Sequence, residues 1–144
     1  IKSDCIGDFY NQWRSDSLVI DKWFAIQITS APPKKVLEIA KKLSSHVDFN
    51  WKNPNRFRSL IGSFAMMPCS FHMADGSGYE FVANWLIKLD KVNPQTAARM
   101  CGVFETWKRY DKKRQILMTT QLRKIQTSNG LSKDAAEIVN KILK

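Results

Sequence analysis

Asn53-Pro54-Asn55-Arg56-Phe57-Arg58-Ser59-Leu60-Ile61-Gly62-Ser63-Phe64-Ala65 is the stretch that decides the fold class. Asparagine caps helices well because its side-chain oxygen accepts a bond from an N–H of the first turn. Proline suits the next position, where its φ is already helical and no N–H is left unpaired. Phe57, Leu60, Ile61 and Phe64 then recur at i, i+3, i+4 and i+7, the stripe of an amphipathic helix. About 40 residues on, Asn93-Pro94-Gln95 opens a helix in the same way, with Ala97, Cys101, Phe104 and Trp107 behind it. A second helix follows each opening. Helix pairs repeating at that period are the signature of HEAT and armadillo solenoids. A closed helical bundle is the competing arrangement.

Outward from these two openings the periodicity stays helical. Ile6, Phe9, Tyr10 and Trp13 form one stripe. Ser17 offers a cap to a second helix, whose Val19, Ile20, Trp23, Phe24 and Ile26 are bulky on both faces and place it centrally. Pro32-Pro33 interrupt the chain and open a third helix carrying Val36, Leu37, Ala40 and Leu43. His46 to Lys52 reads as a connector. Pro68 ends the helix begun at Asn53, and Ser70 to Gly78 reads as a loop. Tyr79, Val82, Ala83, Leu86 and Leu89 form the next stripe. Asp111 caps a long helix with Met118, Leu122 and Ile125 on its apolar face, and Asn129-Gly130 stops it. Ser132 caps the last helix, with Ala135, Ile138, Val139 and Ile142 on one side. The expectation is an all-α fold: about eight helices in antiparallel pairs, HEAT/armadillo-like, with residues 1–144 as one domain.

A chain of 144 residues with 44% hydrophobic and 25% charged residues supports one packed core and excludes wholesale disorder. No apolar run approaches the ~18 residues of a membrane span, so no membrane partner is expected. The net charge of +10 calls for a polyanion, an acidic substrate or an acidic neighbouring domain. Cys5, Cys69 and Cys101 have apolar flanks and cannot all pair with one another. They read as buried free thiols in a reducing compartment such as the cytoplasm. No signal peptide is visible, and Ile1 in place of Met reads as the start of a processed or excised segment.

Catalytic chemistry finds little to use. His46 and His72 are the only histidines, and there is no His-Glu-x-x-His, Cys-x-x-Cys or phosphate loop. Cys69 and His72 have the spacing of half a zinc site without a second half. No catalytic residue, metal ligand or cofactor is therefore assigned to this chain. Lys108-Arg109-Tyr110-Asp111-Lys112-Lys113-Arg114 is the densest basic run. It could hold phosphates, but cations at a helix start oppose the macrodipole, which makes nucleic acid the weaker partner. Gln95 and Arg99, four apart on one helix, share a face. A guanidinium beside an amide can grip a peptide carbonyl or carboxylate. A plain solvated face is the alternative.

Several stretches together resemble one family. They are Asp8-Phe9-Tyr10-Asn11-Gln12-Trp13-Arg14, Leu18-Val19-Ile20-Asp21-Lys22-Trp23-Phe24, the Asn53-Pro54-Asn55-Arg56 helix and Phe71-His72-Met73-Ala74-Asp75-Gly76-Ser77-Gly78-Tyr79. Asn93-Pro94-Gln95-Thr96-Ala97-Ala98-Arg99, Arg109-Tyr110-Asp111 and Arg114-Gln115 continue the series. In order and spacing, residues 5 to 144 resemble the C-terminal domain of bacterial-type aminopeptidase N, the alanyl aminopeptidase family of zinc metallopeptidases. The resemblance implies an α-solenoid that closes the chamber around a zinc-bearing catalytic domain absent from this chain. It implies that domain and a peptide substrate as partners. It places Arg99 and Gln95 facing the chamber near the primed side of the substrate, and Arg58 near the channel wall. Zinc is expected in the parent enzyme and not in this chain, which alone should be inactive. The alternative is a free-standing basic α-solenoid that binds nucleic acid or an acidic protein.

Overall fold

The computed structural model describes residues 2–144, with side chains from Asp4 onward; Ile1 lies outside the described residues. Every regular element among the described residues is helical. The chain divides into two compact units, residues 1–64 and 65–144.

The first unit begins with α1 (Lys2–Trp13) and α2 (Ser17–Thr29). Asp16, one residue before the expected Ser17, caps α2 by accepting from the Leu18 and Val19 amides at 3.1 and 3.3 Å. A carboxylate at the positive end of a helix also satisfies the macrodipole, so Asp16 outcompetes the serine. The Trp23 indole donates to the Ile6 carbonyl at 3.0 Å and pins α2 to α1. Ile20, Trp23, Phe24 and Ile28 are buried, whereas Leu18 and Ile26 are exposed, so α2 buries one face within this unit rather than both. Pro32 and Pro33 break the chain, and a 3-10 turn, Pro33–Lys35, leads into α3 (Val36–Ser44).

The Asn53 helix forms as its cap predicts. Asn53 Oδ1 accepts from the Asn55 and Arg56 amides at 3.0 and 3.2 Å, with Pro54 in the first turn. This helix, α4, runs through Pro54–Phe57, a π-helical turn Arg58–Gly62 and Ser63–Ala65. Phe57, Leu60, Ile61 and Phe64 are fully buried. The wide turn was not foreseen. α4 packs on α2 and α3 within the unit.

In the second unit, α5 (Pro68–Phe71) starts at Pro68 instead of ending there, because proline again takes the first helical position. Ser70 and Phe71 are therefore helical, and the loop is shorter than expected. Gly76, at φ +79°, leads into α6 (Ser77–Asp90). Gly78 lies so close to α5 that a Cβ there would fall 2.2 Å from the Ser70 carbonyl oxygen. Asn93 caps α7 (Pro94–Met100), which tightens into a 3-10 turn at Cys101–Phe104. Trp107 belongs to a separate 3-10 turn, Trp107–Arg109, and not to one continuous helix. Asp111 caps α8 (Lys112–Gln126), and Gly130 at φ +75° precedes Ser132, which caps α9 (Lys133–Leu143). Buried Asp90 fixes that last cap, accepting from the Ser132 amide at 2.8 Å and its hydroxyl at 2.5 Å. α6 packs on α7 and α8, and α9 packs on both as well.

The cysteines are all free, but only Cys101 is buried; Cys5 and Cys69 are exposed. Apolar neighbours in sequence do not bury a residue that its helix turns outward.

Candidate functional site

Asn93 and Pro94 set the start of α7, and that start sets which residues face outward. Thr96, Ala97, Ala98 and Met100 are buried, while Gln95 and Arg99 are exposed. Arg99 borders a cleft of about 500 Å³ formed by the end of α7, the turn after it and the outer side of α9. Four cations line it: Arg99, Lys108, Lys141 and Lys144. Glu105 is the one side-chain carboxylate in that lining, and Ile138 and Ile142 supply an apolar floor. Among the described residues, no hydrogen bond or ion pair occupies the side chains of Arg99, Glu105 or Lys141. The Trp107 indole donates to the Ile142 carbonyl at 2.9 Å, tying the 3-10 turn to α9 and holding the cleft's two sides together. Lys108 lies over the Trp107 ring, 5.6 Å from its centroid.

Gln95 is one turn before Arg99 but does not line the cleft. Arg58 belongs to the first unit, is exposed, and donates through Nη2 to Asn55 Oδ1 at 3.1 Å. The cleft thus takes one of the three expected residues, Arg99. Lys141, Lys144 and Glu105 were not singled out in the sequence, and Lys108 only as part of the basic run. The signal for Lys141 was its place beside Ile138 and Ile142, at i+3 and i+4 on one helix.

Arg56 was also passed over. Its guanidinium is buried beneath α2, donating from Nε to Asp21 Oδ1 at 2.5 Å and from Nη2 to Ser17 Oγ at 3.3 Å. It also donates to the Asp48 carbonyl and lies over the Phe24 ring. This is a structural arginine that joins α2, α4 and the connector between α3 and α4.

The His72 motif is likewise structural. His72 Nδ1 is 2.7 Å from the buried Tyr79 hydroxyl, and its ring stacks on Tyr110 with centroids 4.2 Å apart. Arg114 Nε donates to the His72 carbonyl at 2.9 Å, and its Nη1 to Asp111 at 3.0 Å. Burial, and secondarily the Arg114 charge, lowers the His72 pKa below 6.5; burial pushes the Tyr79 hydroxyl up to about 12. A neutral imidazole therefore knots α5, α6 and α8. Among the described residues no group of three or more His, Cys, Asp and Glu is placed to hold a metal, so the residues present do not fit a zinc site.

Comparison with known proteins places this geometry. Residues 2–144 match the family described as "Domain of unknown function (DUF3458_C) ARM repeats". Aminopeptidase N of Haemophilus influenzae is 45% identical over 96% of the chain, and that of Escherichia coli 43% over 94%. A crystal structure of Legionella pneumophila aminopeptidase A in complex with aspartic acid superposes with a TM-score of 0.91 at 38% identity, over 98% of the chain. The chain spans only 16% of the length of each of these relatives. Its all-helical build and its ARM-repeat match agree on an α-α solenoid. The chain belongs to the DUF3458_C family of ARM-repeat domains and is similar, over nearly its whole length, to one part of aminopeptidase N.

Proposed function

We propose that this chain is the helical wall of a zinc aminopeptidase, a non-catalytic domain of residues 1–144 that guides and holds peptides while a separate domain removes their N-terminal residues. The observation that supports it most is Arg99, which lines a cleft and has no hydrogen-bond or ion-pair partner among the described residues, in a chain similar to part of aminopeptidase N. Gln95 extends the same helix face by one turn, and Arg58 is a further candidate on the first unit. On this reading the zinc and the general base belong to the catalytic domain; among the described residues no group of three or more His, Cys, Asp and Glu is placed to hold a metal. That domain is the expected partner, and an acidic face on it would suit the +10 charge. Exposed free Cys5 and Cys69 suit a reducing compartment.

The test compares Arg99→Ala with the unaltered full-length enzyme on peptides and on a single-residue reporter. A reporter ends near the metal and does not reach this wall. Losing one charge-assisted hydrogen bond costs about 1.5–3 kcal/mol, or roughly 10- to 150-fold in peptide kcat/KM. Equal losses on both substrates with a lowered Tm would make Arg99 a brace and sink the reading. The second reading, a basic adaptor, rests on the net charge alone. It requires DNA or RNA affinity that falls steeply with salt.

A further inference from the structure

We infer that the cleft between α7 and α9 takes the free C-terminal carboxylate of a short peptide, with the peptide's last side chain lying on Ile138 and Ile142. This rests on the proposed function and names the class of substrate for its site.

The lining asks for a ligand of two characters. The side chains of Arg99, Lys108, Lys141 and Lys144 outnumber the one side-chain carboxylate, Glu105, so the lining favours an anion. A backbone carbonyl needs one donor and no net charge. A carboxylate uses a planar guanidinium bidentately and gains from further cations around it. Ile138 and Ile142 are half-buried one turn apart on α9, and Ala98 and Gly102 leave space opposite them. An apolar group beside the charge fills that space, which inorganic phosphate would not. A nucleic-acid strand needs a track of cations and free rings for stacking. Here the Trp107 ring already carries Lys108, and its N–H is bound to the Ile142 carbonyl. A volume of about 500 Å³ fits the end of a peptide and not a folded partner. The Arg99 side chain has no protein partner to surrender, so binding breaks no ion pair among the described residues.

The experiment uses the full-length enzyme and a ladder of alanine peptides ending in Leu, each as free acid and as C-terminal amide, with an alanine chromogenic reporter as control. At the lengths that span from metal to cleft, the free acid is preferred by roughly 10-fold or more in kcat/KM, mostly through KM. Arg99→Ala and Lys141→Ala each collapse the preference, Arg99→Lys keeps part of it, Glu105→Gln enlarges it, and high salt shrinks it. Equal kcat/KM for acid and amide at every length, or a preference that survives both alanine variants, overturns the inference. If Arg99→Ala weakens acid and amide alike yet spares the reporter, the wall reading stands and this inference falls. If the reporter suffers equally, the wall reading falls and takes this inference with it.

Discussion

Arg56 and Arg58 are two residues apart on α4 and meet opposite surroundings. Arg56 precedes Leu60 by four positions, so it points with the apolar stripe into the unit, where Asp21 and the Asp48 carbonyl receive it. Arg58 points to solvent. Removing one partner of a buried pair leaves the other charge stranded, at about 3–5 kcal/mol. Arg56→Ala is therefore expected to lose that much in urea unfolding, whereas Arg58→Ala stays within about 0.5 kcal/mol. Two glycines make a similar contrast. At Gly7, in α1, no atom beyond the glycine's chain neighbours and the backbone of its own helix lies within 4 Å of an added Cβ, so Ala gains up to about 1 kcal/mol of helix propensity. At Gly78 the same gain is outweighed, because the Ser70 and Phe71 carbonyl oxygens lie 2.2 and 2.6 Å away on backbone that cannot step aside. Gly78→Ala is expected to cost about 2 kcal/mol or more by the same measurement. His72 supplies a pH test. Its folded pKa lies below the ordinary 6.5, so the unfolded chain binds the proton more readily. Stability from this site is fully present above about pH 6.5 and declines as pH falls through the folded value. His72→Gln should flatten that decline in Tm measured against pH, and an unchanged slope would count against the site.

Four helices start from a short local bond. Asn53, Asn93, Asp111 and Ser132 all accept from amides in the first turn of the helix that follows. Such caps act within three residues, which is why they are readable in a sequence. Asn53→Ala and Asn93→Ala are each expected to lower stability by about 1 kcal/mol, seen as a lower denaturant midpoint with an unchanged slope. The core positions of α4 cost more. Phe64 is fully buried, and Phe64→Ala should cost roughly 3–5 kcal/mol. The π turn within α4 has no such local mark. It widens the helix where Leu60 and Ile61 are both buried, so packing rather than propensity selects it.

At the scale of the whole molecule the expectation is a domain that binds and does not cut. The purified chain with added zinc is expected to release no fluorophore from an N-terminal substrate, because metal-assisted hydrolysis needs protein ligands and a polarised water, and no such ligand group is placed among the described residues. Chelator-sensitive turnover by the pure chain would overturn this. Circular dichroism should show helix throughout, in keeping with the absence of any strand among the described residues.

The sequence by itself determined the helical class and the breaks at Pro32, Pro54, Gly76, Pro94, Asp111 and Gly130. These depend on caps, prolines, glycines and 3.6-residue periodicity, all set by neighbours a few positions away. The tertiary structure alone decided that Cys5 and Cys69 face solvent and that Arg56 rather than Arg58 is the anchor. It also decided that the helix after Asn93 tightens into 3-10 turns. The cleft belongs to that second group, for it joins Arg99, Lys108 and Lys141 across some forty positions of chain. Distant side chains meet only when burial of the apolar stripes has chosen which helices pack together. A charge pattern along the chain carries no record of that choice.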